Sequence, residues 1–111
     1  MYITVTRLHL KGISKIPKFS WYTYKSIRQL NKAPGIISAA YKSEDYCTYW
    51  TLTAWESVDN MRAFRNHGSH LKAMKASGKL ADELNYISWE GDKIPSWSVC
   101  MQKLNDHLEE Q

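Results

Sequence analysis

Residues 46–57, YCTYWTLTAWES, decide the fold. The stretch alternates as a β-strand does, with successive side chains on opposite faces. Thr48, Trp50, Leu52 and Ala54 point one way; Tyr49, Thr51, Thr53 and Trp55 point the other. A strand that faces water on one side keeps its large apolar residues to the other. Here each face holds a tryptophan, so both faces of the sheet are expected to be covered. Helices account for one cover, and the other needs a second source.

The flanking sequence supplies the remaining elements. Residues 2–10 read as a strand, with Ile3, Val5, Arg7 and His9 on one face and Tyr2, Thr4, Thr6, Leu8 and Leu10 on the other. Pro17 cannot lie inside a ladder. A helix is expected over roughly residues 18–33, with Phe19, Thr23, Ile27 and Leu30 inward and a basic stripe of Lys18, Lys25, Arg28 and Lys32; Pro34 and Gly35 end it. GIISAAYKS (35–43) reads as the second strand and 46–57 as the third. Ser57 is the expected N-cap of a short helix over 58–64. Ser69 is the expected cap of another over 70–77, stopped by Gly78. DELNYISWE (82–90) is the fourth strand. A last helix opens at Pro95 or Ser96 and carries a stripe of Trp97, Cys100 or Met101, Leu104 and Leu108.

The order β-α-β-β-α-β with an added C-terminal helix predicts an α+β, ferredoxin-like domain with an antiparallel four-stranded sheet, occupying residues 1–111 as one unit. Helices of that arrangement cover one face. A second copy of the same sheet is the expected cover for the other, giving a homodimeric α/β barrel.

Composition narrows the function. The net charge of +4 is mildly basic, below the concentration of charge that a nucleic-acid binder carries, so no nucleic acid is expected as partner. Two cysteines far apart, Cys47 and Cys100, suggest reduced thiols and a cytoplasmic protein. The N-terminus carries neither a signal-peptide pattern nor a membrane span, so no stable membrane insertion is expected. There is no glycine-rich phosphate loop, no dinucleotide fingerprint and no nucleophile elbow.

FRNHGSHLKAM (64–74) holds the strongest chemical signal. His67 falls at a helix end, where a cation complements the dipole, and reads as a solvated residue. His70 falls in the first turn of the next helix, where a neutral imidazole is favoured, and a neutral imidazole serves as base or ligand. A packed histidine bonded to a carbonyl is the plainer reading of His70. No carboxylate or cysteine lies at ligand spacing, so no metal site is expected. Arg7 and His9 read either as a strand leaving the core or as the rim of a cavity, where Arg7 would stabilise an anionic oxygen. Trp55 and Trp50 read as core packing or as pocket walls, with Trp50 and Trp89 expected on adjacent strands. Tyr24, beside Trp21 and Tyr22, reads as packing or as a hydrogen-bond donor to a bound quinone-like ligand. The basic stripe reads first as a solvated face.

The blocks IPKFSWYTYKSIRQLNKAPG, YWTLTAWESVDNMRAFRNHGSHLKAM and ISWEGDKIPSW resemble small proteins of the dimeric α/β-barrel superfamily. Within it, the match is to an uncharacterised branch, antibiotic biosynthesis monooxygenase-like or spheroidene monooxygenase-like, over about residues 2–104. The resemblance implies a homodimer with facing sheets, and in each copy a cleft between sheet and helices for a flat aromatic substrate or heme. It implies oxygen chemistry, in some members with no metal or flavin, because the deprotonated substrate itself reduces oxygen. Phe64 stands where the heme-degrading branch has a tryptophan and Met74 where it has a histidine, and strand 1 has no asparagine. Heme degradation in that style is therefore not expected. The spacing from Trp55 to His70 matches the spheroidene monooxygenase-like proteins. The resulting expectation is a monooxygenase-like protein without cofactor or with heme. Its catalytic candidates are His70 and Arg7, and Trp55, Trp50, His9, Tyr24 and Phe64 are its substrate-binding candidates. A non-catalytic dimer holding heme or a hydrophobic metabolite is the alternative.

Overall fold

Strand β1 (Tyr2–Leu10) lies at the centre of the chain's organisation. The computed structural model describes residues 1–109, the side chains of Ser69 and His70 excepted. After β1 come a 3-10 turn (Ile13–Lys15), α1 (Ile16–Leu30), β2 (Ile36–Ser43), β3 (Thr48–Trp55), α2 (Val58–Arg65), α3 (Gly68–Leu80), β4 (Ala81–Glu90) and α4 (Trp97–Glu109). The sheet order is β2-β3-β1-β4, and each neighbouring pair is antiparallel. This is the expected ferredoxin-like arrangement. β1 separates β3 from β4, so Trp50 sits in the row of Arg7 and Trp89 in the row of Ile3, rather than side by side.

Alternation divides the sheet as the sequence indicates. Ile3, Val5, Leu52 and Ala54 form one buried cluster with Cys100 and Leu104 of α4. Trp55 forms another with Leu30 of α1 and Met61 of α2. Thus α1 and α2 cover one face, and α4 is the second cover. The lid that the tryptophans on both faces call for is present within a single chain.

Local chemistry explains several boundaries. Pro17 falls in the first turn of α1, where its missing N–H costs no helical bond. Ser57 caps α2 by accepting from the Asn60 amide at 3.3 Å. Gly35 takes φ +82°, and a Cβ there would lie 2.3 Å from Asn60 Cγ, so the turn into β2 requires glycine. Helix α3 departs from expectation at both ends. It begins at Gly68, with φ +61°, so His67 is its N-cap residue and Ser69 lies inside the first turn. It also runs through Gly78 to Leu80. An exposed glycine weakens a helix by only about 1 kcal/mol, and docking of Leu80 (6% exposed) outweighs it.

No helix is long and apolar enough to cross a membrane among the described residues.

Candidate functional site

The helix-facing side of the sheet carries its hydroxyl groups in two rows. Across β2, β3, β1 and β4, one row runs Ala39, Thr53, Thr4, Ser88, and the next runs Tyr41, Thr51, Thr6, Tyr86. Thr4 Oγ1 and Ser88 Oγ are bonded at 3.0 Å. Aromatic pairs bound these rows at both ends. Trp55 meets Phe64 of α2 at 5.4 Å between ring centroids, and Tyr49 meets Phe19 of α1 at 4.8 Å. Aromatic contacts at such distances are stabilising in themselves, so each end of the sheet is pinned to its helix. Between them Thr4, Thr6 and Thr51 stay half-buried.

The helices do not close over β4. Leu84 and Tyr86 are 40% and 56% exposed. Arg65, in the last turn of α2, places its guanidinium 6.0 Å from the Tyr86 ring, which sets a cation beside this edge. Burial pushes the Tyr41 and Tyr49 phenols above their usual value, so both remain protonated donors at neutral pH.

The predicted site residues fall into separate groups. Trp55 and Phe64 touch each other on the helix side. Arg7, His9 and Trp50 stand on the opposite face, the α4 side. There Arg7 Nη1 is 3.5 Å from Glu83 Oε1, and its guanidinium lies 5.7 Å from the Trp50 ring. His9 Nδ1 meets Asp82 Oδ1 at 2.7 Å. The indole N–H of Trp50 and the Nε–H of Arg7 are both buried without an acceptor among the described residues. Tyr24 belongs to the outer surface of α1: it is 54% exposed and stacks beside Trp21 at 6.5 Å, rather than facing the sheet. The backbone of His70 lies in the first turn of α3, while its side chain is outside the described residues.

Gln29 organises the approach to that turn. Its Nε2 donates to the carbonyls of Phe64 (3.1 Å) and His67 (2.8 Å), tying α1 to the junction of α2 and α3. A Cβ on Gly68 would come 3.0 Å from Gln29 Oε1, so the bare glycine lets this bridge form. The hydroxyl rows, Arg65 and Gln29 are absent from the residues that sequence reasoning selects. The alternating threonines of β1 and β3 are visible in the sequence, but only register shows that they align.

No group of three or more His, Cys, Asp or Glu gathers at metal-binding distance among the described residues. Phe64 packs on Trp55, and Met74 is 37% exposed on α3. Two surface grooves are lined by other residues. One of about 280 Å³ lies between Lys18 and Tyr22 of α1 and Lys72, Lys75 and Lys79 of α3. One of about 500 Å³ runs along Trp89, Ile94, Pro95 and Val99.

Solved structures match most of the chain. A Nitrosomonas europaea protein provisionally named an antibiotic biosynthesis monooxygenase superimposes with a TM-score of 0.73 at 17% identity, over 84% of this chain and 100% of that one. The chain has the fold of the antibiotic biosynthesis monooxygenases. A second structure of that name gives a TM-score of 0.75 at 6% identity, over 84% of this chain and 100% of its own. SnoaB, a cofactor-independent oxygenase from Streptomyces nogalater, gives 0.65 at 14% identity, over 83% of this chain and 93% of its own. At these identities, the likeness to the monooxygenase fold is one of architecture. No family model matches the sequence, and no curated protein matches it.

Proposed function

We propose that the protein is a small monooxygenase-like enzyme that takes a flat apolar or polyaromatic molecule between its sheet and its helices. The observation that carries this reading is the pair of hydroxyl rows held between two aromatic ends and left uncovered along β4. An apolar wall with a few convergent polar groups suits a ligand with a flat hydrocarbon body and oxygen substituents. In this reading Trp55 and Phe64 form one wall, and Thr6 and Thr51 bond the ligand's oxygen atoms. His70 acts as base: a phenol or enol loses its proton to it, and the electron-rich anion reduces oxygen. The likeness to a cofactor-independent oxygenase supports this chemistry through the fold alone.

The homodimer belongs to the same proposal. Since α4 already covers the apolar part of its face, the partner would meet α4 and the polar end of β1 rather than a bare sheet. A second reading, a non-catalytic dimer that holds heme or a hydrophobic metabolite, is favoured by the buried unpartnered donors of Arg7 and Trp50. A buried donor without an acceptor costs about 1–3 kcal/mol, and a ligand or partner oxygen there would offset it.

Oxygen uptake with a panel of dihydroxynaphthalenes separates the two. Turnover lost in His70→Ala and reduced in Thr6→Val supports the enzyme. Heme or pigment binding, read by absorbance, that is lost in Arg7→Leu or Trp50→Phe, without oxygen uptake on any phenol, supports the binding protein. Sedimentation as a monomer at micromolar concentration would remove the dimer from both.

A further inference from the structure

Helices α1 and α3 pack side by side, and together they form a basic surface that the proposed chemistry does not use. Neither helix contains an aspartate or glutamate, and the first 43 residues of the chain contain none. With 3.6 residues per turn, positions i, i+3, i+7 and i+10 share one stripe. Lys18, Trp21, Lys25 and Arg28 of α1 occupy such a stripe, and all four are exposed. Lys72, Lys75 and Lys79 of α3 repeat the pattern and are exposed too. The groove of about 280 Å³ brings Lys18, the first residue of the α1 stripe, against Lys72, Lys75 and Lys79. Among the described residues none of these cations has an acidic partner, since the ion pairs lie at Glu83, Asp82 and Glu90. The charge is thus unbalanced on this side and left for something outside the chain.

Trp21 narrows what that is. It is 56% exposed in the middle of the cationic stripe. A tryptophan among lysines is the residue pattern of a membrane–water interface, where an indole sits at the headgroup level and the cations meet lipid phosphates. The Lys25 ammonium lies 4.5 Å from the Trp21 ring centroid, so one face of the indole already carries a cation, which leaves less aromatic surface for stacking on nucleic-acid bases. The geometry points to peripheral docking of the α1–α3 surface on an anionic phospholipid bilayer. Lys18, Lys25, Arg28, Lys72, Lys75 and Lys79 contact the headgroups, and Trp21 enters the interface. Clusters of four to eight such cations beside apolar anchors bind anionic lipid without crossing it.

Vesicle flotation of the full chain tests this. Vesicles of phosphatidylcholine mixed with phosphatidylglycerol should carry the protein, vesicles of phosphatidylcholine alone should not, and added salt should release it. Each lysine near the surface is worth roughly a fivefold change in partitioning, so Lys72→Gln/Lys75→Gln/Lys79→Gln should weaken binding about a hundredfold. Trp21→Ala should weaken it while leaving its salt dependence unchanged. Lys93→Gln/Lys103→Gln, away from this surface, should bind as the parent does. All these side chains are on the surface, and circular dichroism would verify that each variant is folded. Equal binding to both vesicle types, no binding to either, or no effect of the triple variant would overturn the inference. So would binding of an oligonucleotide through these lysines in the absence of vesicle binding.

Discussion

Leu104→Ala probes the lid that α4 places on the sheet. Leu104 is fully buried, in the same cluster as Ile3, Val5 and Leu52. Truncating a fully buried leucine removes its transfer energy and leaves a cavity, at a cost of about 2–5 kcal/mol. Domains of this size have total stabilities of about 5–15 kcal/mol, so the loss is a large fraction of the whole. With a urea m-value of about 2 kcal/mol/M for a small protein, the unfolding midpoint should fall by about 1 to 2.5 M. Val99→Ala, on the same helix but 43% exposed, should cost about 0.5 kcal/mol or less. Urea titrations followed by tryptophan fluorescence at two protein concentrations give both numbers. If α4 lies on its own sheet, the difference between Leu104→Ala and the parent is independent of concentration. Equal, small effects of the two substitutions would refute the packing described here. A difference that grows with dilution would place α4 on a partner.

Three further outcomes follow from single residues. Gly78→Ala should stabilise by about 0.5–1 kcal/mol, because α3 is helical there and nothing lies within 4 Å of the new Cβ, whereas Gly35→Ala should destabilise by more than that through its φ and its clash with Asn60; thermal melts of the two variants check the signs. Gln29→Ala should cost about 1 kcal/mol and raise amide exchange at the α2–α3 junction, since the two side-chain bonds that tie α1 to it are lost, although the Phe64 carbonyl keeps its bond from the His67 amide. Asp45 accepts from the Cys47 and Thr48 amides, both at 2.8 Å, and these bonds, opposed in part by desolvation, hold its carboxyl below the ordinary value near 3.8. A depressed folded pKa means that its stabilisation is complete above the unfolded value and fades as pH falls through the folded one. The turn before β3 should therefore loosen only below about pH 4, and Asp45→Asn should remove that dependence in an NMR titration.

Much of the fold could be read from period alone. Trp50 and Trp55 on opposite faces of one strand demand two covers, and α1–α2 and α4 supply them. β1 alternates cleanly because Ile3 and Val5 face one layer while Tyr2 faces the other. The start of α3 was less legible. Ser69 has the chemistry of a cap, but the positive φ of Gly68 starts the helix one residue earlier. Gly78 reads as a stop by propensity, yet packing of Leu80 extends the helix past it. The candidate site was legible only in part. Trp55 and Phe64, each selected singly as a binding candidate, meet on the helix side. Arg7, His9 and Trp50 share the face that alternation assigns them, which is the opposite one, so they cannot join Trp55 around one ligand in a single chain. The hydroxyl rows required the register of four strands, which no local pattern encodes.

The central claim is that the ligand lies on the helix side of the sheet. Titration of isotopically labelled protein with a dihydroxynaphthalene, followed by amide and methyl NMR shifts, tests it most directly. The account predicts shifts at the amides of Thr4, Thr6, Thr51, Phe64 and Ser88, with little change at Cys100 and Leu104. Shifts concentrated instead at Arg7, His9 and Trp50 would contradict it and place the ligand on the α4 side.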